Sequence, residues 1–139
     1  MIMSYRALIF DDQPEIRLVL WRLFDGRGYE VFTFPHPAIC PLHQEDQCPC
    51  PANQACADVI ISDLNMPIQN GLVFLEEQIT KGCRCQNLAL MSGELSPEEI
   101  AKAEALGIKV FVKPFRLAEI ISWLEQIEKG IDPHRHLSQ

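Results

Sequence analysis

The chain has 139 residues, 47% of them hydrophobic, and a formal net charge of −7. That length and apolar content fit one domain around one core and exclude a disordered tail, while the acidic balance gives no general basic footprint for nucleic acid. No run of about 18 apolar residues occurs, and "MIMSYRALIFDDQ" has no apolar run behind a basic start, so no membrane insertion and no signal peptide are expected and a cytoplasmic address is the default.

Taken in chain order, "YRALIF" (5–10) is a short apolar run stopped by Asp11 and Asp12, which predicts a buried strand. "PEIRLVLWRLF" follows with Pro14 at a helix start and apolar residues Ile16, Val19, Leu20, Leu23 and Phe24 at helical spacing, closed by Gly26 and Gly28. Trp21 here, and Trp123 near the end of the chain, are expected in the core. "YEVFTF" alternates as a strand does. A segment rich in cysteine comes next, with room for a short helix near Ala38 to Leu42. "ADVIIS" is apolar until Ser62, as a central buried strand is, and ends at Asp63.

"GLVFLEEQITKG" predicts a helix closed by Gly82, and "NLALMSG" another apolar strand. "SPEEIAKAEALG" opens with Ser96, Pro97 and Glu99, a capping box in which serine and glutamate each satisfy a free backbone N–H. "IKVFVKPF" is a fifth strand ending at Lys113, and "RLAEIISWLEQIEKG" a final amphipathic helix. His134 and His136 fall in a frayed, solvated tail. Strands alternate with helices throughout, which predicts an α/β fold: a parallel sheet with helices on both faces.

In such a sheet the carboxyl ends of the strands gather on one edge, where ligands bind. Those ends deliver Asp11 and Asp12, then Asp63, then Ser92, then Lys113. Each alone is adequately explained as a polar strand cap; all five on one edge are not. Three close carboxylates repel one another unless a cation sits between them, and hard oxygen ligands favour Mg²⁺. One carboxylate can then act as a nucleophile toward phosphorus, with lysine and serine holding the oxygens of the transferring group.

"FDDQ", "VIISDLNMP", Gly71, "LMSG" and "VFVKPF", in that order, resemble the receiver domain of bacterial two-component response regulators, from about Tyr5 to about Lys129. The resemblance implies a single doubly wound five-stranded parallel sheet of flavodoxin-like order 2-1-3-4-5, with a Cys-rich insertion before strand 3. It implies a receiver domain over 1–130, carrying the insertion at about 40–56, a flexible tail over 131–139, and a stand-alone receiver.

It also implies roles. Asp63 would accept phosphate from a sensor histidine kinase or phosphotransfer protein. Mg²⁺ would be held by Asp11, Asp12, Asp63 and the backbone carbonyl of Asn65. Ser92 would bind the phosphoryl group and Lys113 would pair with it. Asn65 and Glu94, each two residues beyond a site residue, are similar to the pair in fast-cycling chemotaxis regulators and imply a short phosphate lifetime. Lys113–Pro114 matches a position where receivers carry a cis peptide. The domain would phosphorylate and dephosphorylate itself, not turn over substrate. Output would come by docking a downstream protein on the surface of the fourth helix, fifth strand and fifth helix, counting the helix near Ala38 as the second. Receivers usually carry Tyr or Phe three residues before the lysine; here that position is Val110, and Phe111 follows it. Strand alternation sends the two to opposite faces, with Phe111 expected in the core.

Two other readings stand beside this one. A phosphatase of the haloacid-dehalogenase type also uses aspartate, serine, lysine and Mg²⁺, but places its nucleophile on the first strand in a DxD pattern. A metal- or redox-responsive binding module on a receiver scaffold would draw on Cys40, Cys48, Cys50, Cys56, Cys83 and Cys85. In this architecture both cysteine loops belong to the edge opposite Asp63. The thiols could hold Zn²⁺, with His43 as a further ligand, or an iron–sulfur cluster, or form disulfides, or remain free. Their spacings fit no standard zinc motif.

Overall fold

Val59, Ile60 and Ile61 are fully buried, and they anchor the middle of a sheet covered on both sides. A central parallel strand needs such a run because helices pack on both of its faces. The computed structural model describes residues 5–35, 57–66, 70–80 and 85–132. In chain order these form β1 (Tyr5–Phe10), α1 (Pro14–Gly26), β2 (Tyr29–Phe34), β3 (Val59–Asp63), α2 (Gly71–Thr80), β4 (Asn87–Ser92), α3 (Pro97–Ala105), β5 (Lys109–Val112) and α4 (Leu117–Glu128). The strands pair in parallel in the order β2-β1-β3-β4-β5. The expected sheet is therefore present. The expected helix near Ala38 and the tail beyond Asp132 lie outside the described residues.

Strand alternation divides the core in two. Ala7, Ile9, Val59, Ile61, Ala89, Met91 and Phe111 face α1 and α4, where Leu20, Phe24, Ile120, Trp123 and Leu124 close over them. Leu8, Phe10, Ile60, Leu88 and Leu90 face α2 and α3 and meet Leu72, Phe74, Leu75 and Ala103. Trp123 is buried as expected, but Trp21 is not: it is 41% exposed, with Leu18 and Val19 exposed beside it. Helix α1 carries more apolar residues than the sheet can cover. Leu20 and Phe24, four apart, take the buried stripe and turn Trp21 outward.

Local signals set the helix ends. The Ser96 hydroxyl accepts from the Glu99 amide at 3.1 Å, and the Ser96 amide donates to Glu99 Oε1 at 3.0 Å, so the capping box is formed. At the other end Gly107, with φ of 75°, supports a double closure: its amide donates to Glu104 and the Ile108 amide to Ala103. Replacing Ser96 with Ala is expected to cost about 1 kcal/mol, which lowers a urea midpoint by roughly 0.5 M. An unchanged midpoint would show that the cap contributes nothing.

Candidate functional site

At the carboxyl edge β1 runs into Asp11, whose amide donates to the Phe34 carbonyl of β2 at 3.0 Å. Asp11 is fully buried and Asp63 is 5% exposed, while Asp12 faces solvent. One carboxylate oxygen from each of the three lies within 4.8 Å of the others. Lys113, just past β5, reaches across. Its Nζ stands 3.0 Å from Asp63 Oδ1 and 3.3 Å from Asp11 Oδ2. The Lys113 amide donates to the Ser92 carbonyl at 2.7 Å, which ties β5 to β4 at the same edge, and the Lys113–Pro114 peptide is cis.

The electrostatics follow from burial. Desolvation holds the Asp11 carboxyl above its ordinary range, against the opposing pull of the Gln13 amide and the Lys113 charge. Asp63 is likewise raised by burial and by the neighbouring Asp11 charge, with Lys113 opposing. Burial pulls Lys113 down, but the hydrogen bond to Asp63 and the charges of Asp11 and Asp63 outweigh it, and its net displacement is upward. Three carboxylates converge where one ammonium pairs with Asp11 and Asp63, so this group of side chains is short of positive charge. Hard, converging, under-neutralised oxygens are the donor set that suits a divalent cation of the Mg²⁺ class.

Ser92 is 1% exposed, at the last position of β4. Its hydroxyl is turned into the following loop: it donates to the Glu94 carbonyl at 2.7 Å and accepts from the Glu94 amide at 3.1 Å. Asn65 and the Glu94 side chain lie on the exposed rim. Of the cysteines, Cys85 alone is among the described residues. It is buried just before β4, at the opposite edge, with Sγ 3.7 Å from the Asn87 carbonyl. Cys40, Cys48, Cys50, Cys56 and Cys83, together with His43, lie outside the described residues.

Three supporting groups, Arg17, Gln13 and Ser62, were not singled out for the site in the sequence, whereas Gly71 was, as a motif position. Arg17 on α1 donates to the Asp11 carbonyl at 2.7 Å, and the Gln13 amide donates to Asp11 Oδ1 at 2.8 Å, so the first turn of α1 orients the acidic loop. Ser62, fully buried, donates to the Asp63 carbonyl at 3.0 Å. Gly71 packs so closely on the Asp63 main chain that a β-carbon there would overlap the Asp63 carbonyl oxygen. For Arg17 the legible cue was Pro14, which marks the start of α1 and so places Arg17 within reach of the strand end.

No family model matches the chain. It is 27% identical over 132 residues to a protein-glutamate methylesterase/protein-glutamine glutaminase of Anaeromyxobacter dehalogenans (strain 2CP-C), covering 86% of this chain and 36% of that protein. The chain thus spans about a third of the length of that curated relative. Among solved structures it is similar to the chemotaxis protein CheY4 of Vibrio cholerae, at 26% identity over 89% of this chain and 98% of that one, with a TM-score of 0.69. The receiver domain of the hybrid histidine kinase CckA superposes with a TM-score of 0.64 at 22% identity, covering 88% of this chain and 97% of that one, and shows the shared fold. With the strand order β2-β1-β3-β4-β5 and these neighbours together, the chain has the fold of response regulator receiver domains.

Proposed function

We propose that this chain is a phosphoaccepting signalling receiver, with Asp63 as the acceptor. The observation that carries the reading is the Lys113 ammonium set between buried Asp11 and Asp63, beside Asp12 at the carboxyl edge of the sheet. A carboxylate oxygen of Asp63 attacks phosphorus in a phosphohistidine of a histidine kinase or phosphotransfer protein. The P–N bond breaks, the imidazole leaves with the bonding pair and takes up a proton, and an aspartyl phosphate results. Lys113 meets one phosphoryl oxygen. Ser92 turns from Glu94 to meet another. Asp11, Asp12, Asp63 and the Asn65 carbonyl would hold Mg²⁺, which when bound supplies charge neutralisation for the transferring group. Asn65 and Glu94 stand at the rim where an attacking water would approach, which supports a short-lived phosphoryl group.

The arrangement does not favour a haloacid-dehalogenase-type phosphatase, because the lone aspartate paired with lysine stands on β3 and the adjacent pair follows β1. A metal- or redox-responsive role for the cysteines rests, apart from the buried Cys85, on residues outside those described. Phosphorylation would alter binding of a downstream protein on the α3–β5–α4 surface. A cleft of about 600 Å³ there is lined by Glu94, Glu99, Ile100 and Val112.

Acetyl phosphate with Mg²⁺ is expected to add one phosphoryl group, located at Asp63 by mass spectrometry and absent in Asp63→Asn, and to leave phosphate esters unhydrolysed. Labelling elsewhere, or none, overturns the reading. A label that persists for hours in Mg²⁺ buffer overturns the short lifetime.

Mg²⁺ is also expected to raise the Tm at neutral pH. Because Asp11 and Asp63 are raised on folding, their ionisation opposes folding above the unfolded carboxylate range near pH ~3.9, and a cation relieves that opposition. The gain from Mg²⁺ should therefore shrink as pH falls and protons compete for the same oxygens. A gain that grows on acidification would contradict this.

A further inference from the structure

Phe111 and Phe115 flank Lys113 in the chain, two residues to either side. Phe111 is 3% exposed, and its ring centroid lies 5.6 Å from Trp123, edge to face, and 6.4 Å from Phe115. Phe111 and Trp123 sit with Ile120 and Leu124 in the cluster between the sheet and α4, and Phe115 packs against it. On the other face, toward α3, β5 presents Val110, half-buried beside the core that contains Leu90. Valine is short and stiff at χ1, with no ring to carry between two positions. The aromatic mass next to Lys113 therefore lies wholly on the α1–α4 face.

Lys113 connects this cluster, along the chain, to the acceptor. Its ammonium is divided between Asp63 and Asp11, and it must re-pair once an oxygen of Asp63 is bonded to phosphorus. Its main chain is pinned on one side, where the amide donates to the Ser92 carbonyl. On its other side Pro114 to Arg116 lead directly into α4. Phe115 there lines an apolar cleft of about 500 Å³ with Lys113, Ile16, Val19 and Leu117.

We propose that in this chain the state of Asp63 is read out through Lys113 by the Phe111–Phe115–Trp123 cluster, so that α4 and the cleft beside Phe115 change on phosphorylation. The inference rests on the phosphoacceptor reading of Asp63. Packed aromatic clusters change between discrete arrangements and do not deform continuously, so a small displacement of Lys113 is passed to α4 as a repacking of rings.

The chain contains two tryptophans, so Trp21→Phe, at an exposed site, leaves Trp123 as the only one. Its emission is followed with Mg²⁺ alone and then with beryllium fluoride added, while acetyl phosphate labelling of Asp63 is measured in parallel. We expect beryllium fluoride to shift the emission beyond the effect of Mg²⁺, and Asp63→Asn to abolish that shift. Phe111→Leu and Phe115→Leu should each cut it by about half or more with labelling retained. Phe115 is only half-buried, so its variant keeps the test open where Phe111→Leu fails to fold. A labelled chain whose Trp123 emission does not change overturns the inference alone, as does an undiminished shift in the folded variants. A chain that takes no label at Asp63 overturns the phosphoacceptor reading and the inference with it.

Discussion

Gly71→Ala is expected to disrupt the site more than any other single methyl addition among the described residues. The new β-carbon would overlap the Asp63 carbonyl oxygen and press on the Ser62 hydroxyl. Both obstacles are held in place. The Ser62 hydroxyl already donates to that carbonyl, the Leu64 amide donates to Met91 at 2.8 Å, and the Gly71 amide donates to Leu64 at 2.8 Å. Main chain cannot swing aside as a flexible side chain can, so the end of β3 must move. Overpacking of this kind costs about 3 kcal/mol, a fall in Tm of roughly 10 °C for a chain of this size. Acetyl phosphate labelling should fall with it, because the displaced group is Asp63 itself. Gly26 provides the control. A β-carbon there meets nothing within 4 Å, and the residue closes a helix, so Gly26→Ala should stabilise by about 0.5–1 kcal/mol. Equal melting temperatures for the two variants would show that the close approach at Gly71 does not constrain the loop.

Lys113→Met should give the second large effect, and its size depends on pH. The substitution leaves Asp11 and Asp63 buried without their cation, and breaking such a pair costs about 3–5 kcal/mol when the remaining charges stay ionised. With the ammonium gone both carboxyls rise further above their unfolded values, so the deficit is full at neutral pH in chelator. It should fade as pH drops and both groups bind protons, and be gone below the unfolded carboxylate range near ~3.9. Added Mg²⁺ should recover part of the lost stability, whereas labelling should stay roughly 10²-fold slower, because the metal does not replace the donor that meets the phosphoryl oxygen. Urea titrations at neutral and acid pH, with and without Mg²⁺, separate these effects. A deficit independent of pH would mean that Lys113 contributes packing and not charge.

The two variants also show what kind of information each residue carries. Lys113 was legible because an apolar strand ended at a lone lysine, and three other strands ended at acids or a hydroxyl. Periodicity identifies the strands, and parallel pairing places all their carboxyl ends on one edge. Gly71 was legible as a motif position only. Nothing in the string of residues states that its α-carbon rests against a carbonyl eight positions earlier. Trp21 misled for a related reason. Its place among the apolar residues of α1 suited the core, yet a helix on a sheet buries one stripe, and Leu20 with Phe24 won it. Arg17 and Ser62 were missed because each works through a backbone carbonyl, and carbonyls have no signature in sequence.

What the sequence by itself determined was the alternation of strands and helices, the capping box at Ser96, the burial of Phe111 and the set of five polar residues at strand ends. These depend on local propensity and on periodicity, which are properties of neighbours along the chain. The tertiary structure alone decided that one ammonium is shared by Asp11 and Asp63, that the Ser92 hydroxyl turns to Glu94, that Gly71 seats the Asp63 main chain, and that the rings beside Lys113 gather on the α4 face. Apart from the local Ser92–Glu94 contact, those facts are distances between residues that are not neighbours along the chain. They are set only when the sheet twists and its helices compete for two finite faces, and no local pattern encodes the outcome of that competition.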